Sequence, residues 1–442
     1  MTTALIATDA KEIWQAGVDA VRSESLVRAA VQASETELVI CGEQIPLGGG
    51  RIEIVGCGKA GAGMAAGLLD ALGPVSEQME VSGWVNVPAD CVTPLPCVVL
   101  HAARPAGINE PTQEGVVGTR EILRRLVQLG DEDLAIVLIS GGGSALLPGP
   151  VPQISLADKQ QVTRLLASAG ATIQQLNIVR TNLSEVKGGR LLRHCRARQV
   201  VALIISDVIG DPLDIIASGP TTPADAGPAE ALQVLRQFDD DRTLIPSAVY
   251  EYLQSAPAEW SGPSVPVKNL IIGSNSIALA ASSRMAESLG YTVVSLGADN
   301  AGPVREHAER LLRTMDEHEG EHRVCVLAGG ETTVQLAETD QERSGGRNQE
   351  LILHAASMRR DPAQWSGRCL LSGGTDGEDG PTDAAGAYLD SEVAARIAEF
   401  DPDPFLAINN SYPWCDQVGG LLRTGPTHTN VMDIAVGLTH GR

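Results

Sequence analysis

The sequence predicts an α/β fold with mostly parallel sheets, and three observations support that prediction. Short, uninterrupted aliphatic runs recur along the chain and end in Gly, Ser or Asp. Segments with helical spacing of apolar residues lie between these runs, and many of the 47 glycines follow them directly. Strands buried on both faces consist of such continuous apolar runs, and strand–helix alternation is typical of α/β proteins, which bind ligands at the carboxyl ends of their strands.

The individual elements follow from this pattern. The predicted strands are residues 51–55, 95–101, 134–140, 200–206, 269–273, 292–297, 324–329 and 368–373. The predicted helices are residues 60–72, 113–129, 156–168, 276–289, 304–315, 349–358 and 391–400. Roughly the first 40 residues are helical by pattern and can pack on either half of the chain. Residues 246–266 are polar and contain several prolines, which predicts a linker.

The length of the chain and the linker predict two domains. We place them at residues 1–260 and 261–442, each a Rossmann-like α/β domain, with a ligand cleft between them.

The amino-acid composition disfavours some classes of binding partner. The chain has 33 Lys and Arg against 55 Asp and Glu, a net charge of −22, which disfavours nucleic acid and anionic membrane surfaces. Aromatic residues make up 3%, too few for base-stacking platforms. The sequence shows no signal peptide, no run of about 18 apolar residues and no zinc-binding spacing of Cys or His. We therefore expect a cytoplasmic protein with reduced cysteines, acting on a small molecule.

Two Gly-rich turns in the first half are typical of phosphate sites. GCGKAGAG, residues 56–63, follows a strand and opens a helix, so Gly56 and Gly58 can admit a phosphate close to the backbone. Lys59 adds a point charge inside this turn, which suits phosphoryl transfer better than hydride transfer. SGGGS follows another strand, and the backbone of Gly141, Gly142 and Gly143 with the Ser144 hydroxyl can line an anion-binding loop.

Further charged residues complete the predicted site. Arg180, Lys187 and Arg190 can together neutralise a polyanionic ligand, with Lys187 on a helical face shared with Ser184. Asp207 ends the strongest apolar run, where it can hold a divalent cation or accept a proton. In the second half, Arg347 stands at a predicted helix N-terminus. The acidic loop that begins at Asp376 offers a second candidate cation ligand, although its spacing is not that of a calcium-binding EF-hand loop.

The set of motifs, taken in order, resembles a known family. GCGKAG, SGGGSALL, SDVIGDPLDIIASGPT, GGETTV, GGRNQE, GTDGEDGPTDAAGA and TGPTHTNV resemble those of class II glycerate kinases (glycerate 2-kinases), which carry a C-terminal MOFRL domain. The resemblance covers about residues 50–435. It implies two α/β domains and a kinase that uses ATP and magnesium to convert glycerate into 2-phosphoglycerate.

The resemblance also implies roles for particular residues. Lys59 and Arg347 would act on the transferring phosphoryl group, and Asp207 and Asp376 would bind magnesium or take the proton. We assign contacts with glycerate, or a closely related hydroxy acid, to Asn348, Glu350 and Thr375.

The chain departs from typical members in three places, which put the acceptor in doubt more than the reaction. The departures are residues 101–112, residues 181–182 and His428.

Two alternatives stay open from the residues alone. One is an NAD(P)-dependent hydroxypyruvate reductase that uses the turn at residues 56–61, with Glu80 as the acid downstream of it. The other is a non-catalytic protein that binds a phosphorylated ligand. For the kinase we also predict a homodimer.

Overall fold

The structure is a computed structural model that describes residues 3–34, 36–47, 49–73, 75–257, 265–320 and 322–440. The chain divides into two compact units. The first unit consists of Ser23–Ser206 and Asp211–Ile272. The second unit takes the chain before Ser23, the short segment Asp207–Gly210 and the chain from Gly273 onward.

Helices and strands alternate through most of the chain. The helices are α1 (Thr3–Ala20), α2 (Ser23–Ala30), α3 (Gly61–Leu72), α4 (Val75–Gln78), α5 (Gln113–Val127), α6 (Gly143–Leu146), α7 (Leu156–Ser168), α8 (Ile173–Asn182), α9 (Pro228–Phe238), α10 (Ser247–Ser255), α11 (Asn275–Ser288), α12 (Val304–Glu317), α13 (Arg347–Met358), α14 (Ser391–Ala394), α15 (Asp403–Leu406) and α16 (Ser411–Val418). The strands are β1 (Val31–Ala33), β2 (Glu37–Ile40), β3 (Glu43–Pro46), β4 (Ile52–Cys57), β5 (Val81–Pro88), β6 (Val98–Arg104), β7 (Leu134–Ile139), β8 (Gln199–Ile205), β9 (Val267–Gly273), β10 (Thr292–Ser295), β11 (Arg323–Gly330), β12 (Arg368–Gly374), β13 (Gly386–Asp390), β14 (Leu421–Leu422) and β15 (Asp433–His440).

The first unit is built on a sheet of strand order β6-β5-β4-β7-β8-β9. The pairs β5–β6, β4–β5, β4–β7 and β7–β8 are all parallel. Every residue of β4 and β7 is buried, which fits the apolar sequence LAIVLI of β7 and the sequence IEIVGC of β4, in which Glu53 is the one charged residue. Parallel pairing brings the carboxyl ends of these strands to one edge, so the turns after β4 and β7 are neighbours.

The second unit is built on a mixed sheet of order β10-β11-β15-β12-β13-β14. The pair β10–β11 is parallel, but β15 runs antiparallel between β11 and β12. The register pairs Asp433, the first residue of β15, with Gly330 on one side and Gly374 on the other. The backbone of Asp433 therefore lies between the last residues of two strands.

The α/β class is confirmed, and most predicted elements lie within a few residues of observed ones. The prediction of mostly parallel sheets is correct for the first sheet and wrong for the second, because β13, β14 and β15 pair antiparallel. The N-terminal 40 residues are not all helical, since β1 and β2 form an antiparallel hairpin with β3 beside it.

The linker prediction also needs correction. Residues 247–255 form α10, whose apolar face is buried in a cluster with α7 and α9. The boundary predicted near residue 260 lies outside the described residues. The helix predicted at residues 391–400 is regular only over α14, and turns follow it.

The N-terminal helix α1 belongs to the second unit. It packs on α11 and β15, and the indole of Trp14 donates a hydrogen bond of 3.1 Å to the carbonyl of Gly373 in β12. Among the described residues, none of the helices is long and apolar enough to cross a membrane.

Candidate functional site

The turns after β4 and β7 are joined by backbone hydrogen bonds. The amide of Lys59 donates to the carbonyl of Gly141 at 2.9 Å. The amide of Ala60 donates to the Ser140 hydroxyl at 3.1 Å. The two Gly-rich motifs that the sequence singled out therefore form one loop pair at the carboxyl edge of the first sheet.

Glycine is required at three positions of this loop pair. A Cβ at Gly56 would lie 2.3 Å from the carbonyl oxygen of Leu138, and one at Gly58 would lie 2.0 Å from the Ser140 hydroxyl. Gly58 has a φ of 143°, and Gly142 has a φ of 74° in the left-handed region. Any larger residue would separate the two turns or strain the backbone.

Two cationic side chains lie over Gly142. A Cβ added at Gly142 would lie 3.3 Å from Nη2 of Arg104 and 3.6 Å from Cγ of Lys59. Arg104 is the last residue of β6 and is 4% exposed. Sequence reasoning missed Arg104, although it lies in the departing segment 101–112 and follows an apolar run. Its position next to Gly142 depends on pairing across the sheet.

A second group of cations meets at Ser144, just past the glycines. Nη2 of Arg180 donates to the Ser144 hydroxyl at 2.5 Å. The Lys187 ammonium donates to the same hydroxyl, to the Ser144 carbonyl at 3.1 Å and to the Ser218 hydroxyl at 3.2 Å. The hydroxyls of Ser144 and Ser218 are 3.1 Å apart. Ser218 is a further site residue that sequence reasoning missed.

An unusual backbone holds Ser218 in place. Ala217, Ser218 and Gly219 have φ values of 51°, 61° and 57°, all in the left-handed region. For residues other than glycine this conformation costs about 1–2 kcal/mol each. The amide of Gly188 donates to the Ser218 carbonyl at 3.0 Å, and that of Gly189 donates to Gly219 at 2.7 Å. Two segments distant in sequence therefore fix each other beside Ser144.

The structure corrects the local geometry predicted for Lys187. The helix α8 ends at Asn182, so Lys187 lies in a turn rather than on a helical face shared with Ser184. Arg190 is not brought to Ser144: its Nη1 donates to the carbonyls of Thr181, Asn182 and Ser184 at 2.9–3.0 Å. Arg190 therefore stabilises the turn that follows α8.

Arg180, Lys187, Lys159 and Arg190 are buried or half-buried, and none of them has an acidic partner among the described residues. Lys187 is 2% exposed and Lys159, on α7, is 7% exposed. Burial, together with repulsion from Arg180 and Arg190, lowers the pKa of Lys159 to about 7. Burial also lowers the pKa of Lys187 and of Arg180. In the part of the chain that the structure describes, no carboxylate forms an ion pair with any of these four side chains.

The second unit carries a separate charged cluster at the start of β15. Arg347 donates from Nε to Asp433 at 2.5 Å and from Nη2 to the other oxygen of Asp433 at 3.1 Å. Its Nη1 donates to Glu331 at 2.5 Å. Burial by itself would lower the pKa of Arg347, but the charge and hydrogen bonds of Asp433 raise it above its ordinary value. Asp433, which sequence reasoning missed as a site residue, thus fixes the predicted arginine bidentately.

The residues assigned to the acceptor are buried and bonded within the second unit. The Thr375 hydroxyl donates to the Met432 carbonyl at 2.7 Å, and the Glu350 carboxylate accepts from Asn409 at 2.9 Å. Burial raises the pKa of Glu350. The Asn348 side chain donates to Asp379 at 3.2 Å. These contacts build the loops around Arg347.

The two proposed metal ligands lie in loops after strands. Asp376 follows β12, and its carboxylate accepts from the amide of Glu378 at 3.1 Å. A Cβ at Gly374 would lie 3.1 Å from Oδ1 of Asp376 and 3.4 Å from Oδ1 of Asp433. Asp207 follows β8 and is half-buried. Within the described ranges, no three His, Cys, Asp or Glu side chains are grouped to hold a metal. Magnesium commonly binds through one or two carboxylates and substrate phosphates, so Asp376 fits that smaller requirement.

Comparison with known protein families gives two matches. Residues 9–254 match a domain of unknown function, DUF4147, and residues 324–433 match the MOFRL family.

Individual proteins match over most of their length. The human protein named glycerate kinase is 40% identical, covering 86% of this chain and 83% of its own. The protein named D-glycerate 2-kinase from Thermotoga maritima is 34% identical, covering 88% of this chain and 90% of its own. The crystal structure titled glycerate kinase from Thermotoga maritima has a TM-score of 0.82 and 31% identity, and covers 98% of this chain and 99% of that chain.

Proposed function

Because the chain belongs to the glycerate kinase family with a C-terminal MOFRL domain, we propose that it transfers the γ-phosphoryl group of ATP to the 2-hydroxyl of glycerate. The observation that carries this proposal is the position of Lys59 and Arg104 over the left-handed Gly142. Phosphoryl transfer requires mainly positioning and positive charge around the phosphoryl oxygens. A Gly-rich loop pair with two adjacent cationic side chains meets that requirement.

The loop pair would hold the phosphates of the nucleotide. The turn at residues 56–61 packs directly on residues 138–140 because Gly56 and Gly58 carry no Cβ at the points of contact. Lys59 would neutralise the charge that develops on the transferring group. Its amide is tied to Gly141, so the base of the side chain is positioned before the substrates bind.

Arg347 would also act on the transferring phosphoryl group. Asp433 holds one face of the guanidinium through two hydrogen bonds, which fixes the plane of the arginine. When bound, magnesium would neutralise phosphate charge. Asp376, and Asp207 as a second candidate, would be its protein ligands. The cytoplasmic location and the homodimer stay predictions.

The Lys59→Ala enzyme tests the proposal. We expect turnover of D-glycerate and ATP to fall by about 100-fold or more, because a positioned electrostatic group is lost. ADP release gives the rate, and phosphorus NMR identifies the product as 2-phosphoglycerate. Thermal unfolding of the variant should match that of the wild type.

Lys268→Ala is the matched control, because Lys268 is an exposed lysine of the same unit, paired with Glu43. It should turn over at the wild-type rate. A wild-type enzyme that releases no ADP with D-glycerate, or a Lys59→Ala enzyme with near-normal turnover, would contradict the proposal. Oxidation of NADH or NADPH with hydroxypyruvate by the wild type would favour the reductase instead.

A further inference from the structure

We propose that Arg180 and Lys187, which meet at the Ser144 hydroxyl, form the subsite for the carboxylate of the acceptor hydroxy acid. This inference rests on the proposed function and deepens it, because it assigns the group that distinguishes glycerate from a neutral polyol. The cluster lies wholly within the first unit. It is separate from Lys59 and Arg104, which lie over Gly142.

The first argument is charge. Arg180 and Lys187 both donate to one neutral hydroxyl, and Lys159 lies close enough to repel both of them. Structural buried cations are ordinarily paired with carboxylates, because an unpaired buried charge is costly. Arg180 and Lys187 meet at this serine with Lys159 nearby, and among the described residues no carboxylate forms an ion pair with any of the three. An anionic ligand would supply the missing charge.

The second argument is access. Ser144 and Arg180 are half-buried, whereas Lys187 and Lys159 lie deeper. A ligand can therefore reach Arg180, whereas the two lysines are buried. Nη1 of Arg180 makes a long contact of 3.5 Å with the Asn177 side chain. A carboxylate can displace this contact and bind the planar guanidinium with two hydrogen bonds.

The third argument is position along the loop. Ser144 is two residues beyond Gly142, so the anion subsite adjoins the loop proposed for the phosphoryl group. In glycerate the 2-hydroxyl is on the carbon next to the carboxylate, whereas the 3-hydroxyl is one carbon further away. A carboxylate held at Arg180 therefore favours the 2-hydroxyl as the group nearest the phosphoryl donor. The chemistry of the site and the position of phosphorylation are thus linked.

The Arg180→Gln enzyme tests the assignment. We expect kcat/KM for D-glycerate to fall roughly 10- to 100-fold, as for loss of a charge-assisted hydrogen bond, while the KM for ATP stays unchanged. Glycerol has a neutral hydroxymethyl group in place of the carboxylate and keeps the other two hydroxyls. The preference of the wild type for glycerate over glycerol should shrink in Arg180→Gln by the same factor. Arg180→Lys should recover part of it.

Arg164→Gln is the control, because Arg164 is exposed on the neighbouring helix α7. It should leave both substrates unaffected. The assignment is overturned if Arg180→Gln raises the KM for ATP and keeps the preference for glycerate, which would identify a nucleotide phosphate site. It is also overturned if neither KM changes in a folded variant. If Arg180→Gln does not fold, the same comparison is made with Arg180→Met, which also removes the charge.

A binding measurement separates failure of the subsite from failure of the proposed function. Calorimetric titration of D-glycerate, D-lactate and inorganic phosphate into the protein without nucleotide requires no turnover. The subsite is supported if both hydroxy acids bind to the wild type and neither binds to Arg180→Gln. This result does not depend on kinase activity. Equal binding by the two proteins, or binding of phosphate alone, overturns it.

Discussion

Replacing the buried Lys159 with methionine should make the protein more stable at neutral and acidic pH. A lysine in an unfolded chain titrates near 10.5, and burial with two neighbouring arginines lowers the pKa of Lys159 to about 7 in the folded chain. The folded state therefore binds the proton less tightly than the unfolded state does. This difference corresponds to a penalty of about 5 kcal/mol, present in full below pH 7 and lost as the pH rises towards 10.5.

In the methionine variant the free-energy penalty for burying the Lys159 charge is absent, and the free energy lost with its hydrogen bond is smaller. The Lys159 ammonium donates to the Leu183 carbonyl at 3.2 Å, and that bond is lost. The same carbonyl still accepts from the amide of Val151 at 3.4 Å, so the loss should cost about 1–2 kcal/mol. Methionine has a similar length and flexibility, and it fills the space of the lysine stem. The expected net gain is about 3 kcal/mol below pH 7.

Urea unfolding of both proteins at about pH 6 and about pH 9.5 measures this difference. The advantage of Lys159→Met should shrink at the higher pH, because the wild type there no longer carries most of the penalty. Lys268→Met, on an exposed and paired lysine, should change stability by less than about 1 kcal/mol at either pH. A variant that is less stable than wild type at pH 6, or a difference independent of pH, would refute the reasoning.

Two further predictions concern the loop pair and the metal. Gly58→Ala should destabilise the protein by about 3 kcal/mol or more, because its Cβ would lie 2.8 Å from the Ser140 carbonyl oxygen at a φ of 143°. Gly107→Ala, at a φ of 71° with open space around it, should cost about 1 kcal/mol in the same urea unfolding experiment; equal losses would contradict the argument. Asp376→Asn should raise the magnesium concentration for half-maximal turnover by about tenfold or more and leave the KM for glycerate unchanged. An unaltered magnesium requirement would remove Asp376 from the metal site.

Local signals predicted the elements that depend on local chemistry. The helix at residues 156–168 is observed as α7, because Ser155 and Asp158 form a capping box before an apolar periodic segment. The strands β4 and β7 are largely apolar runs, and a Gly-rich turn follows each of them. By contrast, β15 lies between β11 and β12 through pairs of residues at least 59 positions apart in sequence. The position of β15, antiparallel to both neighbours, depends on how the whole sheet assembles. The spacing of apolar residues within β15 does not predict it.

The same division holds for the candidate site. The glycines and Lys59 could be predicted because they follow their strands directly and the turn chemistry is local. Arg104 and Asp433 could not, because their roles depend on which strands become neighbours. Arg190 was predicted to bind phosphate from its proximity in sequence to Lys187. It turns instead towards three backbone carbonyls, because the chain after α8 forms a tight turn whose oxygens need donors.

The buried cations near Ser144 lower the stability of the fold, and the binding of an anionic substrate explains why an acidic protein would keep them. With a net charge of −22, the chain repels an anionic substrate at long range, so binding requires a local region of opposite potential. A carboxylate next to Lys159 would remove the folding penalty, but it would also cancel that potential. Lys159→Met should therefore increase stability and, through the lost charge behind Arg180, raise the KM for glycerate several-fold. Stability and acceptor affinity would then change in opposite directions in one variant, as expected when strain is kept for function.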